Sequence, residues 1–484
     1  MANTKAPVES TYATKRVGFL SNPLQRSSST TKDMRFVNCM IEEIENPVDK
    51  TKKYFIKSRS GLSTAYSNTA GTARGCYYWI YNGTGYIFSV IGNTVYVNGV
   101  SRLTLSTSTG NVGFCEHLNA TNQVKLILLD GTKGYYWTDS ITSVEITDVD
   151  FPTPHIPTPV VLDGYLFVAK AGTADIYNSN LNDPATWTAG AYITAEMFPD
   201  TLVALSRNNN FVYGIGKTSC EYFYDAANAV GTPLARQAPA VQQFGCAAQG
   251  TVVQTEKEVI FVGETQNGGY TVWTIDGFKE KEIGIPMVKS ALLAEGTSLA
   301  NATAFSVRVS QQKLYIICLT TRTLVYSFDT EMWSEWDSGA TGGSVFVANY
   351  GTDGPNGSAY LLGRTSGITY LMDSTKLNDA GTNFQVTIVS QKMDFDTINR
   401  KFMYRFSIVG DVPDDTLTDQ NVSIEWSDDD YKTWSTARTL KFNADLPSIF
   451  QLGNFRRRAF RIKYALPHLF RIEGIEVDLN KGIN

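Results

Sequence analysis

Val160-Val161-Leu162-Asp163-Gly164-Tyr165-Leu166-Phe167-Val168-Ala169 is two short apolar runs on either side of Asp-Gly. A two-residue hairpin turn needs positive φ at its centre, and Asp-Gly or Asn-Gly supplies it at least cost, so the stretch reads as a β-hairpin. The same pattern returns in Phe305 to Ile317, and in Tyr77 to Val97 with its Asn82-Gly83 and Gly92-Asn93 turns. It returns again in Val124 to Trp137 around Asp130-Gly131, and in Leu202 to Ile215 around Asn208-Asn209-Asn210. Such units begin near Gly75, Asn111, Pro157, Pro199, Gly245, Asn301 and Gly343, at spacings of 36 to 56 residues. Self-similarity at roughly 40–50 residues per four-stranded unit marks a β-propeller. The unit at Pro157 is short and the N-terminal arm has strands to contribute, so six or seven blades are expected.

Working outward, helical periodicity is scarce. Met287 to Glu295 is the one stretch that predicts about two helical turns, so the fold class is all-β. Before the repeats, Ser27-Ser28-Ser29-Thr30-Thr31 reads as loop and Arg35 to Glu42 as a short strand. Residues 1–60 therefore form an N-terminal arm with first strands, and 61–380 the propeller. The polar segment Ser374 to Thr382 reads as a linker. Beyond it, Phe384–Val389, Met403–Val409, Asn421–Trp426, Phe460–Tyr464 and Ile472–Asp478 alternate as longer strands, and 381–484 is expected to be a C-terminal β-sandwich.

The 484 residues are 43% hydrophobic and 12% aromatic, enough for packed cores, with Tyr and Phe at 25 each as pleated sheets favour. A net charge of −5 gives no general attraction to polyanions. No apolar run reaches the length of a membrane-spanning helix, and Met1 to Pro7 carries no apolar signal core. The six cysteines (39, 76, 115, 220, 246, 318) are scattered singly, as small buried hydrophobes are, and in neither disulfide nor zinc spacing.

Chemistry-bearing patterns are few. His117, His155 and His468 lie in distant segments without ligand spacing, so no metal or cofactor is expected. No Gly-x-Ser-x-Gly elbow anchors a hydrolase triad, and Gly214-Ile215-Gly216-Lys217-Thr218 lacks the leading Gly of a phosphate loop and reads as a turn. Ser427-Asp428-Asp429-Asp430-Tyr431-Lys432-Thr433-Trp434 resembles the Asp-box turn of sialidases and other propellers, with Ser427, Asp429 and Trp434 in its structural positions and Tyr431 where that motif has Gly. A sialidase also needs three arginines on one carboxylate; Arg59, Arg207, Arg308 and Arg364 are the spaced candidates, none in a matching context. The densest basic run is Arg456-Arg457-Arg458 followed by Arg461, Lys463 and Arg471. Alternation places Arg461 and Lys463 on one face, opposite Phe460, Ile462 and Tyr464, and that face is read as an interface or a solvated surface before a grip on DNA.

The order of several segments carries a resemblance. Pro159 to Val168 leading to Asn180-Leu181-Asn182-Asp183-Pro184-Ala185-Thr186-Trp187, then Leu202 to Tyr224, Phe244-Gly245-Cys246-Ala247-Ala248, Val259 to Gly263, Tyr270 to Trp273, and the closing stretch from Ser427 to Ile472 are similar to the packaged-DNA stabilisation proteins of short-tailed bacteriophages. The resemblance spans roughly residues 35–480. It implies a virion structural protein of the tail hub or nozzle, a homo-hexamer without enzymatic activity, assembled in the host cytoplasm. Such a ring sits below the portal and its adaptor ring, retains the genome, lets DNA pass without specific binding, and offers attachment to a tail needle or tailspike/fibre. A mildly acidic chain suits a passage that does not hold phosphates, and a neutral or acidic hexamer lumen is expected. The alternatives are a glycan-binding or sialidase-like propeller, and a WD-repeat adaptor, for which Trp336-Asp337 is a lone dipeptide where one per unit is required.

Overall fold

The computed structural model describes residues 12–19, 34–45, 48, 50–411 and 419–482; the polar tract at 27–31 lies outside them. The chain divides into two compact units, one of residues 62–325 and 345–373, the other of 1–61, 326–344 and 374–484.

The larger unit is a seven-bladed β-propeller. Its innermost strands are Ala73–Tyr81, Gly113–Leu118, Val160–Leu162, Leu202–Asn208, Val253–Gln254, Thr303–Val309 and Ala348–Asp353, one per blade and close to the seven starts read from the sequence. The turns follow the sequence chemistry: Asn82-Gly83 has φ of +49° and +77°, and Asp163-Gly164 +48° and +84°. Blades pack through apolar layers. In the second strand of blade 2, Val124–Leu129, the side chains of Leu126 and Leu128 join Trp79, Phe88 and Trp137 on one side. Ile127 and Leu129 join Phe151, Leu166 and Trp187 on the other. A strand buried on both faces reads as a continuous apolar run, and for that reason Leu126 to Leu129 does not alternate. The ring closes through Gly61–Ser67, which precedes the first blade in sequence yet forms the outermost strand of the seventh, beside Ile368–Asp373.

The helix expected near residue 290 runs Pro286–Glu295, with Pro at its first position, where a missing N–H costs nothing. Glu295 at its end accepts the backbone N–H groups of Thr320 (3.1 Å) and Thr321 (3.2 Å), tying the helix to a blade turn. The Gly214 to Thr218 segment is indeed a strand end and turn, with Asp200 accepting the Thr218 and Ser219 amides (2.6 and 3.1 Å).

The second unit is a β-sandwich. One sheet orders Cys39–Glu45, Lys52–Ser58, Arg471–Lys481, Lys401–Gly410 and Ser448–Phe455, with Tyr12–Gly18 also paired to Arg471–Lys481. The other places Arg35–Val37 between Met332–Ser338 and Val386–Val389, and continues through Ala459–Tyr464, Asn421–Ser427 and Arg438–Lys441. Between them lies one core, with Ile41, Ile56, Phe406 and Ile475 from the first sheet and Phe36, Ile388, Ile424 and Ile462 from the second. The sandwich thus takes in strands from residues read as an arm and a strand from residues read as propeller.

Arg59, fully buried, joins the three chain segments of this unit. Its guanidinium makes a fork with Asp379 (2.8 and 2.6 Å), donates from Nε to Asn38 Oδ1 (2.9 Å) and from Nη2 to the Asp337 carbonyl (3.2 Å). It also stacks 3.9 Å over the Phe384 ring.

Candidate functional site

The basic run of the sandwich is locally neutralised along most of its length. Arg461 and Lys463 do point away from Phe460, Ile462 and Tyr464. Register sets Arg461 opposite Glu425. That carboxylate takes Arg461 and, at 3.2 Å, Lys463. Burial opposes the charge on Glu425, but the two cations prevail and its pKa falls below the ordinary range. Arg458 is buried, pairs with Asp428 (2.7 Å) and stacks over Phe455 at 4.3 Å. Arg471 holds Glu42 (2.8 Å) and Asp411 (2.6 Å) and covers the Phe55 ring at 3.8 Å. Arg456 and Arg457 stay exposed; Arg456 Nη1 donates to the Ile398 carbonyl (3.0 Å).

Beneath them lies a group that sequence reading did not single out. The buried Lys401 ammonium donates to the carbonyls of Thr397 (2.5 Å), Asn399 (2.9 Å) and Arg456 (2.8 Å). Burial, aided by Lys481 and Arg456, lowers its pKa. No spacing in the sequence announces this, because the ligands are main-chain atoms.

Ser427 to Trp434 forms the turn its motif predicts. Asp429 accepts from Ser427 Oγ (2.8 Å) and from the Lys432 and Thr433 amides (3.1 and 2.9 Å). These bonds, first among them those from Thr433, hold its pKa at about 2. Tyr431 stands at φ +62° in place of Gly, with its ring buried and its hydroxyl donating to the Ser390 carbonyl (3.0 Å), a bond that offsets the backbone strain. Trp434 lies under Arg461 at 4.2 Å.

In the propeller, strands of all seven blades line an axial cavity of about 740 Å³. Its charged lining is mixed. Tyr77 donates to Glu116 (3.1 Å), Lys313 pairs with Glu256, and Arg207 gives Nη1 to the Val161 carbonyl (2.6 Å). The four spaced arginines do not converge: Arg364 Nε donates to the Phe346 carbonyl (2.9 Å), Arg308 approaches Glu256 (3.5 Å), and Arg59 lies in the sandwich. His155 is buried, accepts the Gly131 amide at Nε2 (3.2 Å) and faces the Pro152 carbonyl from Nδ1 (3.1 Å). Burial lowers its pKa to about 4, so it is a neutral structural imidazole. Among the described residues no group of His, Cys, Asp and Glu is arranged to hold a metal. Nor is any helix long and apolar enough to cross a membrane. The six cysteines are free thiols, and burial pushes those of Cys76, Cys246 and Cys318 up to about 12.

Residues 27–401 match the family model described as "Bacteriophage P22 Gp10, beta-propeller". The sandwich strands beyond 401 lie outside the match. No curated protein sequence matches the chain. Among solved structures, the chain is similar to virginiamycin B lyase from Staphylococcus aureus (9% identity, TM-score 0.42, covering 69% of this chain and 99% of that one). It is also similar to a streptogramin B lyase (10% identity, TM-score 0.36, 69% and 98%). At these scores the likeness says nothing of a shared activity.

Proposed function

The chain belongs to the bacteriophage P22 Gp10 β-propeller family, and from that membership we propose that it is a structural tail protein of a short-tailed phage, several copies of which form a hub or nozzle ring. In this reading the ring is a homo-hexamer below the portal and adaptor. It retains the packaged genome, passes DNA on ejection without base-specific contact, carries a needle or tailspike, and performs no catalysis.

One observation supports the ring above all. Spread over the ~20 Å height of a six-residue strand, 740 Å³ of space for the centres of water-sized spheres of about 1.4 Å radius gives a bore of roughly 10 Å. A duplex whose major groove alone is about 12 Å wide cannot enter it. A DNA passage built from this chain therefore lies between copies. The glycan-directed alternative loses its main support, since Arg207 and Arg364 are committed to main-chain carbonyls.

The test is the mass of the purified protein alone and with a portal–adaptor complex. Recruitment as a six-fold ring is expected. A subunit that is not recruited, or one that cleaves a sialoside, overturns the reading.

A further inference from the structure

A closed ring of more than two copies needs two different faces on each subunit that fit one another, because every contact is head to tail. The chain carries one acidic and one basic face, each with exposed apolar residues and each short of counter-ions.

The acidic face lies on blades 2 and 3. Residues 103–206 contain eleven Asp and Glu, three Lys and no Arg. At one end of these blades, the His117 ring lies 3.0 Å from the Gly164 carbonyl, the Asn182 amide donates to that same carbonyl (2.8 Å), and the Ala120 amide donates to the Asn182 carbonyl (3.1 Å). These bonds lock the turns at Asp163 and Asp183 against the strand end bearing Leu118 and Glu116, an exposed residue that also lines the axial cavity. Leu118 and Leu181 are 47% and 54% exposed there. Among the described residues Glu116 accepts only the Tyr77 hydroxyl and Asp183 only its own turn's amide and hydroxyl. Among the described residues no cation pairs with Glu116, Asp163 or Asp183.

The basic face lies at one end of the sandwich, where register places Lys401 beside both Phe455 and Lys481. Arg400, Arg456 and Arg457 are exposed there around Ile398, which is 67% exposed, and none has a carboxylate partner among the described residues. The nearby Asp396 already holds Lys15 (2.9 Å), and Asp394 accepts the Asp396 amide (3.1 Å). Arg456 and Lys481 repel the buried Lys401 ammonium, against the attraction of Asp394, and with Arg400 and Arg457 exposed close by in sequence an opposing carboxylate surface relieves the excess of positive charge.

We propose that the Arg400–Arg456–Arg457 face of one copy docks on the Glu116–Asp163–Asp183 face of a second copy, with Ile398 against Leu118 and Leu181. An apolar centre within a charged rim is the usual make-up of such an interface, and the charges fix its register. This rests on the ring reading above and names the surfaces that build the ring.

Charge reversal tests it. R400E/R456E/R457E and E116R/D163R/D183R are each expected to weaken assembly more than about a hundredfold, as facing like charges cost several kcal/mol. Assembly is read by sedimentation, or by copies recruited to the portal–adaptor complex. The chain carrying both reversals, or an equimolar mixture of the two triple variants, is expected to restore the ring. Five of the six positions are exposed and Asp183 is half-buried in its turn, and unchanged melting temperatures show that the variants fold. Single reversals that assemble like the parent overturn the inference, as does a doubly reversed chain that folds but stays monomeric. So does an Arg variant that assembles normally but loses affinity for duplex DNA. Failure of the parent chain to form any ring instead sinks the ring reading itself.

Discussion

Arg59 shows how much one side chain can fasten. Its guanidinium meets Asp379, Asn38 and the Asp337 carbonyl, so residues from each of the three segments of the sandwich converge on one charge. Removing one member of a buried ion pair strands the other. Arg59→Met is therefore expected to cost about 3–5 kcal/mol, and Arg59→Met with Asp379→Leu clearly less than the sum of the two single changes. Urea unfolding of the four members of the cycle checks this. In sequence Arg59 sits in Lys57-Ser58-Arg59-Ser60, where it stood out only as one of four spaced arginines, and Asp379 falls in the polar linker. Nothing local marks either as buried, because the partner is 320 residues away. His155 gives a pH signature. The unfolded imidazole takes a proton near pH 6.5 and the folded one near 4. Between these values the unfolded chain binds more protons, so this contribution is full above pH 6.5 and lost as pH falls through the window, by roughly 3 kcal/mol at most. Urea midpoints at pH 7.5 and 4.5 are expected to differ less in His155→Gln than in the parent.

Elements were legible where turn chemistry and burial agreed. Asn82-Gly83 and Asp163-Gly164 announced their hairpins because the backbone there demands positive φ, and the seven unit starts fell close to seven inner strands. Strands Arg438–Lys441 and Ser448–Phe455 were not read, since the first is short with Thr439 and Lys441 outward, and in the second Phe450 faces outward and Gln451 and Gly453 interrupt the alternation with positive φ. Alternation also placed Arg461 and Lys463 correctly, but their neutralisation by Glu425 depends on strand register, which a single strand does not encode. At this scale Leu128→Ala, between blades 1 and 2, is expected to cost about 2–5 kcal/mol, read by thermal or urea melts. Asp429→Ala is expected to speed amide exchange at Lys432 and Thr433 while leaving the propeller blades protected. The same turn is held by its carboxylate above about pH 4 and released as pH falls through about 2.

For the whole molecule, composition and repeat spacing were enough for the propeller, because each blade is a local unit of consecutive strands. The sandwich was only half legible, since it is assembled from segments far apart in sequence, and the docking faces need both units folded before they exist. Closure of the wheel depends on Gly61–Ser67. Proline at both Ser63 and Thr64 removes at least one ladder N–H of this strand while leaving the sandwich strands before it intact, and is expected to bare the edge of Ile368–Asp373 and to lose protection first in the seventh blade, as hydrogen exchange would report.

That closing strand also sets a clock on the ribosome. Its partner, Ile368–Asp373, lies about 300 residues downstream, so at roughly 5–20 residues per second the early segment emerges about 15–60 s before the edge it must zip onto. The nascent protein spends that interval as an unfinished arc, and a host factor that shields it during synthesis would raise the yield of complete wheels.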